Sequence, residues 1–197
     1  MKNESIKGEE NNARINPLPM NIMRPEWIKT LEKIPGAGLK GLYAPVNVLG
    51  TLMHNPRTLG PFLEYWVNSK LEMGFSVCEQ ELIILRMGVH YNCDYVWKHH
   101  VPVAQEYGVN DEEIAAVKAN PLPDVFSTRE TALLQLTDEL VVKRTISKHG
   151  WEKWSLCLSY SELVDLVSIV SQYVLFALTN NAMNVQIEKP LNHIPGI

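Results

Sequence analysis

Cysteine is scarce in this chain: Cys78, Cys93 and Cys157 are the only three among 197 residues. Three widely spaced thiols make no disulfide framework, which points to a reducing compartment. The odd count raises the question whether one of them does chemistry. A surplus of charge is also missing. Lys and Arg total 18 and Asp and Glu 22, a net charge of −4, so there is no basic footprint for nucleic acid. The most apolar stretch, Leu163 to Leu178, is interrupted by Asp165, Ser168, Ser171 and Gln172 and is too short to cross a bilayer. Met1 to Asn16 lacks the apolar core of a secretory signal. These absences predict a soluble, cytoplasmic protein with neither nucleic acid nor membrane as partner. No GxGxxG, P-loop, GxSxG, HExxH or metal-type CxxC pattern occurs, so no cofactor and no metal are expected.

What is present suits one compact domain with a real core, since 46% of the residues are apolar. Met1 to about Arg14 is rich in Asn, Glu and Lys and is expected to be a mobile tail ahead of a single domain spanning 15–197. Beyond it the signals are helical. Pro25 suits the first turn of a short helix ending before Pro35-Gly36. Asn55-Pro56 opens another, with Asn55 as its N-cap. Ser76 with Glu79, Asn110 with Glu113, Ser127 with Glu130 and Ser159 with Glu162 are capping boxes, the last opening a long helix over about 160–183. No stretch alternates polar and apolar residues for long enough to make a strand. The predicted fold is all-α, with seven or eight helices. A faint echo relates 63–85 to 133–156, as two helical hairpins of either common or independent origin.

The stretch 81–100 carries the candidate chemistry. On a helical wheel, 77–90 is apolar almost all round, the mark of a buried central helix. Glu81 lies on it, and desolvation is expected to raise its pKa toward the range of a proton shuttle. Asn92 is the predicted N-cap of the next helix, with Cys93 in its first turn, where free N–H groups and the helix dipole favour a thiolate. Cys93, Val96 and His100 share one face at i, i+3 and i+7. A cysteine at a helix start, a histidine on its face and a buried glutamate could converge to activate a thiol or move protons. Each also has a structural reading: a small buried hydrophobe, a satisfied core histidine, an internal ion pair. Cys78 and Cys157 are assigned to packing. His99 and His100 point about 100° apart, so they do not form a metal pair. The tryptophans, Trp97 included, are core or interface anchors.

Glu81-Leu-Ile-Ile-Leu-Arg86 followed by Asn92-Cys-Asp-Tyr-Val-Trp-Lys-His-His100-Val resembles the carboxymuconolactone decarboxylase family, which includes alkyl hydroperoxidase D. Pro102 to Ile114, the flank 44–56, and the segments 168–173 and 181–184 extend the likeness over about 15–187. The resemblance implies an all-α helical bundle with a central buried helix pair, intertwined in a homo-oligomer, commonly a trimer or hexamer. It places the site where those two helices meet. In the peroxidase branch the motif is Glu, then CxxC, then His. Glu81, Cys93 and His100 match the Glu, the first Cys and the His, while Val96 stands at the second Cys, so a CxxC disulfide cycle is excluded. In the decarboxylase branch the thiols are dispensable, and a cationic group such as Arg86 would hold substrate carboxylates.

The expected site is therefore Cys93, His100 and Glu81 as catalytic residues, with Arg86, Tyr91, Trp97 and His99 contacting a small-molecule substrate. Three functions follow. The first is a peroxidase-type antioxidant oxidoreductase, with Cys93 oxidised to a sulfenic acid, His100 as base, Glu81 as relay and an external thiol as reductant. The second is a lyase or isomerase acting on a small carboxylated lactone through His100 and Glu81. The third is a non-catalytic oligomer that binds a ligand or holds subunits together.

Overall fold

The computed structural model describes residues 12–34 and 46–197. Residues 1–11 of the expected tail, the predicted stop at Pro35-Gly36 and the start of the 44–56 flank lie outside the described residues. Within the tail, Arg14 is tied down: its N–H and its guanidinium donate to the carbonyls of Met183 and Ala182.

Nine α-helices are described: α1 (Pro25–Leu31), α2 (Val46–Leu52), α3 (Pro56–Glu72), α4 (Val77–His90), α5 (Asp94–Glu106), α6 (Asp111–Ala116), α7 (Thr128–Lys143), α8 (Lys148–Trp154) and α9 (Tyr160–Met183). Short 3-10 turns occur at Met20–Ile22, Ser155–Cys157 and Lys189–Leu191. There is no strand among the described residues. The count exceeds the predicted seven or eight by at least one, and four of these helices, α1, α2, α6 and α8, have seven residues or fewer. The second hairpin of the proposed echo ends in α8, with 7 residues against the 14 of α4.

All four capping boxes form, each Ser or Asn accepting from the N3 backbone while the N3 glutamate returns the bond. Two of those glutamates do more. Arg129 donates to both Glu79 and Glu162, so one guanidinium ties the N-terminal ends of α4 and α9 to α7. At α3, Asn55 occupies the cap position, but its side chain makes no cap bond.

Every residue from Gln80 to Gly88 on α4 is buried, as a helix apolar on all sides requires. It packs against α5, α7 and α9. One core cluster joins α4 to α1, α3 and α9; a second, with Leu82, Leu85, Trp97, Val101 and Leu134, fills the space between α4, α5 and α7. α9 is long and apolar enough to cross a membrane by length and composition. Its buried side, including Leu163, Leu166, Ile169, Phe176 and Ala177, packs on five neighbouring helices as a core helix does.

The α4–α5 turn corrects one sequence expectation. Asn92 is not the cap of α5 but takes φ of +45°, a left-handed conformation that Asn tolerates better than most residues. That conformation lets Cys93 N–H donate to the Gly88 carbonyl at 2.9 Å and Tyr91 N–H to Met87 at 3.1 Å, closing α4. Cys93 thereby becomes the N-cap of α5.

Candidate functional site

Four helices converge on Glu81. The residue is fully buried on α4, and a buried carboxylate needs partners. It has two. Lys70, near the end of α3, reaches Oε1 at 3.1 Å, and His100 Nδ1 on α5 lies 2.5 Å from Oε2. The far side of the imidazole meets α9, with Tyr173 Oη 3.2 Å from Nε2. The two rings pack edge to face, centroids 5.3 Å apart. The result is one chain: Lys70 ammonium, Glu81 carboxylate, His100 imidazole, Tyr173 phenol.

Charge sets the protonation along that chain. Burial alone would raise the Glu81 pKa, as the sequence suggested. The His100 and Lys70 charges and their hydrogen bonds outweigh burial and lower it to about 2. Glu81 is therefore a standing carboxylate and not a proton donor near neutrality, which corrects the expectation. Burial pushes His100 below the usual histidine value, with Glu81 opposing. Burial pushes the Tyr173 phenol well up, and the Glu81 charge adds to it. With Nδ1–H donated to Glu81, Nε2 carries the lone pair and the phenol is the donor toward it.

His100 and Tyr173 border a cavity of about 40 Å³, also walled by Trp66, Tyr95, Val96, His99 and Asn180. That is room for a few water-sized groups. The His100 side chain keeps 18% exposure, so the ring is reachable.

His99 sits on the same cavity in a second polar cluster. Its Nδ1 bonds the Tyr95 carbonyl at 2.8 Å, its ring stacks on Tyr95 at 4.1 Å, and Nε2 faces Glu188 Oε2 at 2.9 Å. Glu188, from the C-terminal segment, also accepts from Tyr95 Oη and from the Asn47 N–H, each at 2.8 Å. Burial opposes its ionisation, yet the His99 pairing and these donors hold its carboxyl below the usual range.

The remaining expected site residues lie elsewhere. Cys93 has no exposed surface, belongs to the apolar core and is not among the residues walling the cavity. Burial pushes its thiol up to about 11, and the N–H groups of Val96 and Tyr95 offset this only in part. The expected thiolate is thus corrected: the helix start is present, but desolvation dominates over it. Val96, not Cys93, presents the α5 face to the cavity. Arg86 is turned away, its guanidinium bidentate on Asp138 at 2.6 and 2.8 Å and donating to the carbonyls of Val117 and Ala119. Trp97 packs in the second core cluster and donates to the Pro195 carbonyl at 3.2 Å. Tyr91 borders an outer recess instead.

Lys70, Tyr173, Asn180 and Glu188 were not singled out from sequence. Tyr173 and Asn180 carry the one available signal: polar groups seven residues apart on a largely apolar helix face. Lys70 and Glu188 carry none, because only folding brings them near 81 and 99. Among the described residues, no three His, Cys, Asp or Glu side chains are placed to hold a metal ion.

Residues 61–139 match the model of the carboxymuconolactone decarboxylase family. Among curated proteins none matches the chain. Several solved structures share the fold. The alkylhydroperoxidase AhpD core of an uncharacterized peroxidase-related protein from Ralstonia eutropha JMP134 superposes with a TM-score of 0.74 at 16% identity, covering 91% of this chain and 94% of its own. A peroxidase-related protein from Silicibacter sp. TM1040 gives 0.73 at 14% identity, covering 96% and 98%. The debrominase Bmp8, as a cysteine-to-alanine variant in complex with 2,3,4-tribromopyrrole, gives 0.76 at 16% identity, covering 93% and 96%. The fold is thus the all-α AhpD-like helical fold, and it houses proteins named for different reactions.

Proposed function

Residues 61–139 are the carboxymuconolactone decarboxylase family segment of this chain, and from that premise we propose that the protein is an enzyme of proton transfer on a small carbonyl compound. His100 Nε2 is the group that takes and returns the proton. The observation that carries this reading is the unbroken chain Lys70–Glu81–His100–Tyr173 ending at the cavity, with the one motif cysteine outside it.

The chemistry follows from the geometry. Glu81 fixes the Nδ1–H tautomer and stabilises the imidazolium formed when Nε2 accepts a proton; Lys70 keeps Glu81 ionised, so both are positioning residues. When a substrate is bound, the Tyr173 O–H turns from Nε2 to the oxygen on which charge develops, which frees the Nε2 lone pair to take the proton from the neighbouring carbon. Returning the proton to another carbon gives an isomerase. Positioned acid–base catalysis of this kind contributes about 10²–10⁴-fold.

The peroxidase-type alternative needs a thiolate with access to peroxide. A buried Cys93 with a pKa of about 11 supplies neither in this conformation. The homo-oligomer and its intertwined packing are part of the family-level proposal.

The test is deuterium incorporation into a panel of small lactones and keto compounds in D2O, followed by NMR. Wild type and Cys93→Ser are expected to exchange alike, and His100→Ala to lose about 100-fold or more. Peroxide consumption abolished by Cys93→Ser, with no His100-dependent exchange anywhere in the panel, would replace this reading by the peroxidase one.

A further inference from the structure

Asn180 stands on α9 between two spaces. It borders the cavity that holds His100 Nε2, and it also borders a larger recess of about 510 Å³ shared with Tyr95, Asn181, Asn184 and Gln186. Its side chain is only 4% exposed. Both Oδ1 and Nδ2 are buried without a hydrogen-bond partner. The neighbouring amides differ, Asn181 donating to the Tyr91 carbonyl and Asn184 to that of Asn12. A buried carboxamide with donor and acceptor both unmet destabilises the fold, and native proteins rarely keep one without a use.

The charges around it narrow that use. The charged side chain bordering the recess is Asp94, an anion. No Lys or Arg lines the cavity or the recess, and Lys70 and Arg86 are paired with Glu81 and Asp138. An anionic ligand would meet no Lys or Arg among the residues that line either space. A primary carboxamide offers one donor and one acceptor side by side, and its best complement is a planar group with the reverse pair.

We propose that the cavity and the recess form one ligand site and that Asn180 selects an uncharged small molecule bearing an N–H or O–H beside a carbonyl, of the lactam or carboxamide class. Calling that molecule a substrate rests on the proton-transfer reading of His100; its binding does not. The Asn180 amide pairs with it through two hydrogen bonds and holds the carbon next to its carbonyl toward Nε2. Carboxylated metabolites are disfavoured.

The test is calorimetric titration of the full chain with 2-pyrrolidinone and, separately, succinate. The lactam should bind wild type at least tenfold more tightly than the dianion. Asn180→Leu should weaken lactam binding about tenfold or more while its melting temperature holds or rises, because an unmet amide has been removed. Lactam binding by wild type that Asn180→Leu weakens, with no His100-dependent deuterium exchange, would count against the base assignment alone, so the two failures read out separately. If Asn180→Leu does not fold, Asn180→Asp keeps the shape, exchanges the donor for an acceptor, and should lose lactam binding at neutral pH. Unchanged binding in a folded Asn180 variant, equal or tighter binding of succinate, or no lactam binding to wild type each overturns the proposal.

Discussion

Glu81 shows how one residue type changes role with its neighbours. Buried alone it would be a weak acid; between His100 and Lys70 it is a permanent anion. The consequence for stability has a definite sign. Glu81 drops from 4.5 to about 2 on folding, so its contribution is complete above pH 4.5 and is lost as pH falls toward 2. It is on the order of 3 kcal/mol. His100 is also lowered, from 6.5, so protonating it opposes the fold, and stability declines as pH falls below 6.5. Both act in the same direction. Urea unfolding free energies should therefore fall progressively from about pH 6.5 to pH 2. Glu81→Gln, less stable at neutrality, should show a visibly shallower acid decline. A wild-type profile that is flat across this range would contradict the assigned ionisation states.

Among elements, the contacts between helix backbones separate glycines that look alike in sequence. On α2, a Cβ at Gly50 would meet the Leu18 carbonyl oxygen at 2.5 Å and Pro17 Cβ at 2.8 Å. The same glycine accepts the Leu18 N–H at 3.0 Å. On α4, a Cβ at Gly88 would meet its nearest neighbour, Trp97 N, at an ordinary 3.5 Å. Gly50→Ala should cost about 1–3 kcal/mol by overpacking. Gly88→Ala should be neutral or stabilise by up to about 1 kcal/mol through helix propensity. Thermal melts of the two variants measure the contrast, and equal melting temperatures would contradict it. Elements were also where local signals were most legible. The four capping boxes read correctly because a cap is a contact over three residues. The start of α5 was misplaced by one residue because Asn serves both as an N-cap and as a left-handed helix stop, and only the route of the chain decides between them.

Across the whole molecule, the C-terminal segment acts as a strap on α5. Glu188 joins Tyr95, His99 and the N-terminal end of α2; Leu191 is fully buried; Pro195 accepts from Trp97, and the Ile197 N–H donates to Asp94. Removing 187–197 deletes one buried leucine and leaves the Tyr95–His99 pair without its carboxylate. The melting temperature should drop by roughly 5–10 °C, as scanning calorimetry can check. An unchanged melt would mean that these contacts contribute nothing to the folded state.

The order of residues alone set the helices, because capping and apolar periodicity are local, and it set 77–90 as the buried centre, because that helix is apolar almost all round in spite of Glu81 and Arg86. The link between Glu81 and His100 was readable as two polar groups on adjoining helices. Tertiary structure alone decided the rest. It brought Lys70 and Tyr173 to that pair from residues 11 positions before and 73 positions after it in the chain. It turned Arg86 to Asp138, put Val96 at the cavity and closed Cys93 into the core. Protonation depends on distance and burial, and neither is carried by the order of residues along the chain.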